Sequence, residues 1–152
     1  VFRTPLSLFR SLAIAEMFSW TLLIAGLILR AIFDWRLAVT VGGAIHGFVF
    51  LAYAAAAILV AVHQRWRFAT GLLAVGSAVV PYATLPTELW LSRTGRLAGP
   101  WRLAETDDPR DRRLVDRWLR FVLRRAWAFG AVAVLVVVAV YLLLLAVGPP
   151  GR

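Results

Sequence analysis

Seven side chains set in apolar stretches carry usable chemistry: Glu16, Ser19, Arg30, His46, Tyr53, Thr84 and Glu88. Glu16 and Ser19 are three residues apart, so one helix face holds both. Tyr53 follows His46 by two helical turns, on a common face. Pro81, Thr84 and Glu88 fall at i, i+3 and i+7, again on one face. An ionisable group inside an apolar run is expensive in lipid and faces protein or a cavity. The chemistry on offer is proton relay or binding of a small polar ligand in a helical interior. The same residues can also serve only as hydrogen bonds that fix helix packing.

Counting along the chain sets their depths. Glu16 lies near the start of one apolar run, His46 near the start of the next and Glu88 near the end of a third. At about 1.5 Å per residue, His46 and Glu88 fall at one level and Glu16 roughly 10–15 Å away. The expectation is therefore a His46–Glu88 pair with Arg30 as counter-charge. Tyr53 would link that layer to Glu16 and Ser19.

The elements that must position these groups are long and apolar. Hydrophobic residues make up 61% of the 152, where a soluble domain has about 45–50%. Four predicted spans cover residues 11–33, 38–62, 68–91 and 126–147, each long enough for a hydrocarbon layer of ~30 Å. The first run is too long for a signal-peptide core, and no small-residue cleavage site follows it. Pro81 and Pro86 predict kinks in the third span. Gly43 and Gly47 are four apart, a spacing that lets a neighbouring helix approach closely. Trp35, Trp66, Trp90 and Trp127 stand near span ends, as interfacial anchors do.

Residues 94–125 form a polar, basic region. Asp108 and Pro109 are a helix-start signal. Leu114, Val115, Trp118, Leu119 and Val122 then make an apolar stripe at helical spacing. Arg112, Arg113, Arg117, Arg120, Arg124 and Arg125 lie largely around it. This predicts an amphipathic basic helix on the membrane surface, meeting anionic headgroups, before the last span. The fold class is all-α and transmembrane: a three-span core over residues 1–93, the basic region, and a fourth span closing a four-helix bundle.

The net charge is +9, and every basic residue is arginine. Most of them sit at span ends or in the basic region, which points to headgroups and membrane topology instead of nucleic acid. Four crossings put both termini on one side. Twelve arginines would then face five, so the basic region is expected in the cytoplasm and both termini outside. Cysteine is absent, which excludes disulfides, zinc–thiolate clusters and thiol nucleophiles. On one helix, His46 and His63 would stand about 25 Å apart, too far to share a metal or a haem iron. No Gly-rich phosphate loop and no Ser/His/Asp constellation points to an enzyme, and no cofactor is expected.

Three ordered motifs carry a family resemblance: Glu16-x-x-Ser19, then His46-Gly47 with Tyr53, then Pro81-x-x-Thr84-x-x-x-Glu88. Over about residues 9–93 the chain resembles the bacterial integral membrane family called domain of unknown function 3817, and the similar YdzA-type small membrane proteins. It departs from that pattern at Met17, where the family often has glycine, and at Arg30 and Arg36, where lysine is common. The resemblance implies a three-span core with intramembrane polar residues, and it implies no activity. The reading that follows is a bacterial inner-membrane protein, multi-pass, serving as an accessory or scaffold subunit of a larger membrane complex or as a self-associating protein. The alternative is a small transporter or channel component that moves protons or a small solute past Glu16, His46 and Glu88.

Overall fold

The computed structural model describes residues 4–102 and 114–125, with isolated positions between 127 and 139. The described residues are helical, without strands, and divide between two units, 1–102 and 103–152. The first unit holds α1 (Pro5–Phe33), α2 (Arg36–His63), α3 (Phe68–Gly76) and α4 (Thr84–Arg93). The second holds α5 (Leu114–Arg124).

α1 begins six residues before the predicted span because Thr4 caps it. Ser7 N donates to Thr4 Oγ1 at 3.1 Å, and Thr4 N donates back to Ser7 Oγ at 3.2 Å. That reciprocal pair satisfies two donors of the first turn. Pro5 sits where its missing N–H costs nothing. α1 and α2 are long and apolar enough to cross a membrane, yet only 22% of each apolar stretch is buried within the chain. Phe18, Ile28, Ile32, Leu51 and Ile58 point outward. A core helix of a soluble domain would hide such side chains; these faces suit hydrocarbon.

The α1–α2 register is set by two other glycines, Gly26 and Gly42. A Cβ on Gly26 would lie 2.7 Å from the Ala38 carbonyl oxygen, and one on Gly42 would lie 2.7 Å from that of Leu22. The backbones touch at both places, as only glycine allows. Gly43 and Gly47 are not the packing pair within this chain. Gly43 meets a single leucine methyl at 3.9 Å, and Gly47 meets nothing within 4 Å.

The predicted third span is not one kinked helix. It is a helical hairpin that goes in and comes back. Ala74 and Ser77 lie beside Tyr53 of α2, and Ala78 lies beside Trp20 of α1. After the break, Thr84 meets Ala13, Glu88 meets Arg10, and Arg96 meets Trp66. The contacts on α1 thus step back toward its N-terminus. α3 has nine residues and α4 has ten. Each covers only about 14–15 Å, half of a ~30 Å layer.

Pro81 is the local cause. Its ring excludes the helical conformation at the preceding residue. Val80 is accordingly extended at φ −101°, ψ 124°. Tyr82 then takes a left-handed φ of 65°, which turns the chain round. Pro86 falls in the first turn of α4, where no partner for its nitrogen is needed. The proline predicted to kink the span therefore reverses it, and the three-span core becomes two long helices plus a hairpin.

Reversal changes which ends share a face. The α1 N-terminus, the 63–67 turn and residues 93–102 now lie at one end of the unit. Gln64 donates to the Ala98 carbonyl at 2.9 Å, and Arg102 N donates to His63 Nε2 at 2.8 Å. The expected separation of residues 93–102 from the N-terminus is overturned.

Carbonyls freed at a break inside an apolar layer must find donors. Trp20 Nε1 donates to Ala78 O at 3.2 Å. Ser77 Oγ donates to Ala74 O at 2.7 Å, with the Tyr53 hydroxyl 3.0 Å from that Oγ and 3.1 Å from the same carbonyl. Tyr53 therefore serves the break and does not link His46 to Glu16. Trp20→Phe should cost about 1–2 kcal/mol in reversible unfolding from mixed micelles, because it strands a buried carbonyl. Tyr53→Phe should cost less, since Ser77 still donates to its carbonyl.

α5 covers part of the predicted amphipathic helix, with Leu114, Trp118 and Phe121 exposed and the Arg125 guanidinium 5.2 Å over the Phe121 ring. Arg117, Arg120 and Arg124 also lie in it, while Arg112 and Arg113 fall outside the described residues, as does most of the predicted fourth span.

Candidate functional site

Three of the seven candidate residues come together, and they are not the expected three. Gly26 on Ala38 and Gly42 on Leu22 fix an antiparallel register. Continued one turn further, it brings His46 level with residue 18, beside Ser19 and within reach of Glu16. Ser19 Oγ lies 2.9 Å from His46 Nδ1, 3.0 Å from Glu16 Oε2 and 2.9 Å from the Glu16 carbonyl oxygen. His46 Nδ1 is 3.8 Å from Glu16 Oε1. Glu16 is fully buried, and its Oε1 has no hydrogen-bond partner among the described residues.

The expected His46–Glu88 pair does not form. Glu88, 2% exposed, instead binds Arg10, whose Nε and Nη2 atoms both lie 2.9 Å from Oε1. Depth counted from span ends failed for two reasons. The glycine seats slide α2 along α1, and the third segment turns back before crossing. Arg30 stands about 18 Å along α1 from the level of His46, and is no counter-charge to it. Thr84 Oγ1 donates to the Ala13 carbonyl at 3.1 Å, pinning α4 to α1 one turn from Glu16.

Trp20 and Arg10 were missed. Trp20 packs its ring against His46, with centroids 4.3 Å apart, while its nitrogen holds the Ala78 carbonyl. One residue thus touches both the polar cluster and the break. Its position four residues after Glu16, on the same face, was the available signal. Arg10 carried none, since its partner depends on the hairpin's reversal.

The number of protons limits what the cluster can do. The Ser19 hydroxyl has one proton and three close neighbours, and the Glu16 carbonyl can only accept. Contacts to both His46 Nδ1 and Glu16 Oε2 are hydrogen bonds only if one of those atoms also carries a proton. In one arrangement Nδ1–H donates to Oγ and Oγ–H donates to Oε2. In the other, Oε2–H donates to Oγ and Oγ–H donates to Nδ1.

Residues 6–93 match the family model described as a domain of unknown function, DUF3817. A relative from Streptomyces coelicolor, named as a membrane protein and nothing more specific, is 38% identical over 94 residues. That match covers 60% of this chain and 11% of the relative, so the chain corresponds to about a tenth of that protein's length. No solved structure matches this chain.

Proposed function

The chain belongs to the DUF3817 family, and from that premise we propose that it is a membrane-embedded module that binds a proton reversibly at Glu16, Ser19 and His46. One observation carries this reading: a single serine hydroxyl bridges a histidine nitrogen and a fully buried carboxylate whose other oxygen accepts no hydrogen bond among the described residues. The proton passes between Glu16 and His46 by exchange of hydrogen bonds through Ser19, with no heavy atom moving far. An ionised carboxylate with no cation at that depth costs several kcal/mol, which favours keeping the proton within the cluster.

The module works as an accessory part of a larger membrane assembly. The matched region is 11% of a much longer relative, which fits a unit that is built into bigger proteins. The apolar side chains of α1 and α2 face outward, and the space over Gly47 is open. Such faces suit lipid and partner helices, and such a gap admits a neighbouring backbone. The site of action is the bacterial cell membrane. Arg10, Arg65, Arg67, Arg93, Arg96 and Arg102 gather at one end of the first unit, against Arg30 and Arg36 at the other. The positive-inside rule then puts the α1 N-terminus in the cytoplasm, reversing the orientation expected from four crossings. The exposed arginines of α5 suit anionic headgroups.

Infrared spectroscopy of the full chain in lipid vesicles tests the proton site. Wild-type protein should show a buried carboxylic-acid C=O band whose intensity follows pH. Glu16→Gln should abolish it, and Ser19→Ala should displace it in frequency by removing its hydrogen bond. A spectrum unchanged by Glu16→Gln would count against proton binding.

A further inference from the structure

A groove of about 390 Å³ runs between the C-terminal end of α2 and the length of α3. Ala61 and Gly71 form its floor, where a Cβ on Gly71 would lie 3.4 Å from that of Ala61. Small residues keep the floor low, while exposed Ile58, Phe68 and Leu72 stand along its sides. Trp66 closes the end and is held from behind. Its Nε1 donates to the Arg96 carbonyl at 2.9 Å, and its ring meets Phe9 edge-on with centroids 6.2 Å apart. From Phe68 to Val75 the groove follows α3 for about 10 Å, roughly two-thirds of one leaflet of a ~30 Å layer.

The mouth of this apolar groove is basic. Arg65 and Arg67 belong to its lining, and among the described residues no acidic side chain does. Asp34 stands at the opposite end of the unit, Glu16 is bound to Ser19, and Glu88 is bound to Arg10. Arg65 takes a left-handed φ of 52°, which turns the chain between α2 and α3 and sets both arginines beside the groove. Arg67 is also the N-cap of α3, a helix that no side chain caps, so its first N–H groups are left for water or an anion. The arginine-rich end matches the cytoplasmic leaflet, which is the anionic one.

We propose that the groove between α2 and α3 binds one anionic phospholipid, with an acyl chain along Ala61, Gly71 and Val75 and the phosphate at Arg65 and Arg67. A convex lipid-facing surface, such as α1 at Phe18 and Ile28, touches an acyl chain on one side. The groove touches it on several, and dispersion attraction grows with the number of contacts. Guanidinium forks match phosphate oxygens in pairs. Phosphatidylcholine carries the same phosphate but adds a choline cation that two arginines repel. One arginine near an anionic headgroup favours it by about fivefold, so two favour phosphatidylglycerol over phosphatidylcholine by roughly 25-fold. The site goes beyond the proton cluster and is independent of it, since none of Glu16, Ser19 and His46 lines the groove.

The test places the full chain in vesicles of equal parts phosphatidylcholine and phosphatidylglycerol. One lipid or the other carries a photoreactive diazirine on its acyl chain, and peptide mass spectrometry locates the adducts. Adducts from phosphatidylglycerol should gather on Ile58, Leu72 and Val75, in roughly 25-fold excess over those from phosphatidylcholine. Arg65→Gln with Arg67→Gln should abolish that preference and leave the phosphatidylcholine adducts as they are. Gly71→Leu, which fills the floor, should lower the groove adducts of both lipids. Soluble glycerol phosphate, a headgroup without a chain, should not displace the lipid. Equal adducts from the two lipids in wild-type protein overturn the site. So does labelling as strong at Phe18 and Ile28 as in the groove, a preference that survives loss of both arginines, full labelling in Gly71→Leu, or displacement by glycerol phosphate. The wild-type comparison decides even if a variant fails to insert.

Discussion

Gly42→Val should destabilise the α1–α2 pair by about 3 kcal/mol or more, at or above the upper end of ordinary overpacking. The neighbour of the added carbon is a carbonyl oxygen 2.7 Å away, with the Leu22 carbonyl carbon at 3.2 Å and Leu23 Cα at 3.3 Å behind it. A side chain in the way can rotate; a helix backbone must move as a body. Parting the helices there would also pull His46 from Ser19 and disturb the Trp20–His46 contact. Gly26→Val should behave alike, since its neighbours are the backbone of Ala38 and Val39. Gly47→Ala is the control, with nothing within 4 Å. It should be neutral or stabilising by up to about 1 kcal/mol through helix propensity. Reversible unfolding in mixed micelles reads all three. Equal losses at Gly42 and Gly47 would mean that the Gly43–Gly47 face is packed after all, by a second copy or a partner.

The second large effect is an asymmetry across the Arg10–Glu88 pair. Arg10→Gln should cost about 2–3 kcal/mol, and Glu88→Gln less than about 1 kcal/mol. Removing the arginine leaves a carboxylate that is 2% exposed without its cation. Removing the carboxylate charge leaves an arginine already 49% exposed, which water can solvate. The glutamine carbonyl can still accept from Arg10. Full burial of both partners would push the first figure toward about 3–5 kcal/mol; the open side of Arg10 holds it lower. The double variant should recover most of the loss. Near-equal costs for the two single variants would show the pair to be solvated on both sides.

Much of the candidate site was legible one residue at a time. Glu16, Ser19 and His46 stood out because polar side chains in apolar runs are costly, whatever the fold. Which of them meet was not legible. Two rigid apolar helices can slide past each other with little change in buried area. The choice of register falls to the two points where glycine lets the backbones touch, and Gly26 and Gly42 are sixteen residues apart on different helices. The Gly43–Gly47 spacing is a local pattern, and a local pattern says only that a close approach is allowed. The hairpin was hidden for a similar reason. Pro81 and Pro86 lie five apart in an apolar run, and a kinked crossing and a return path obey the same hydropathy. The left-handed turn at Tyr82 is worth taking because Trp20, Tyr53 and Ser77 wait with donors for the freed carbonyls.

Composition and apolar run length alone determined that α1 and α2 are membrane-length helices, and that the chain carries ionisable groups between them. Those features follow from transfer free energies that act on each residue separately. Tertiary structure alone decided that His46 serves Glu16, that Glu88 serves Arg10, and that residues 68–93 return to the side they came from. These are contacts between distant segments. Their energies depend on where two backbones can touch and on which buried carbonyl finds a donor, and neither quantity belongs to any residue until the helices have docked.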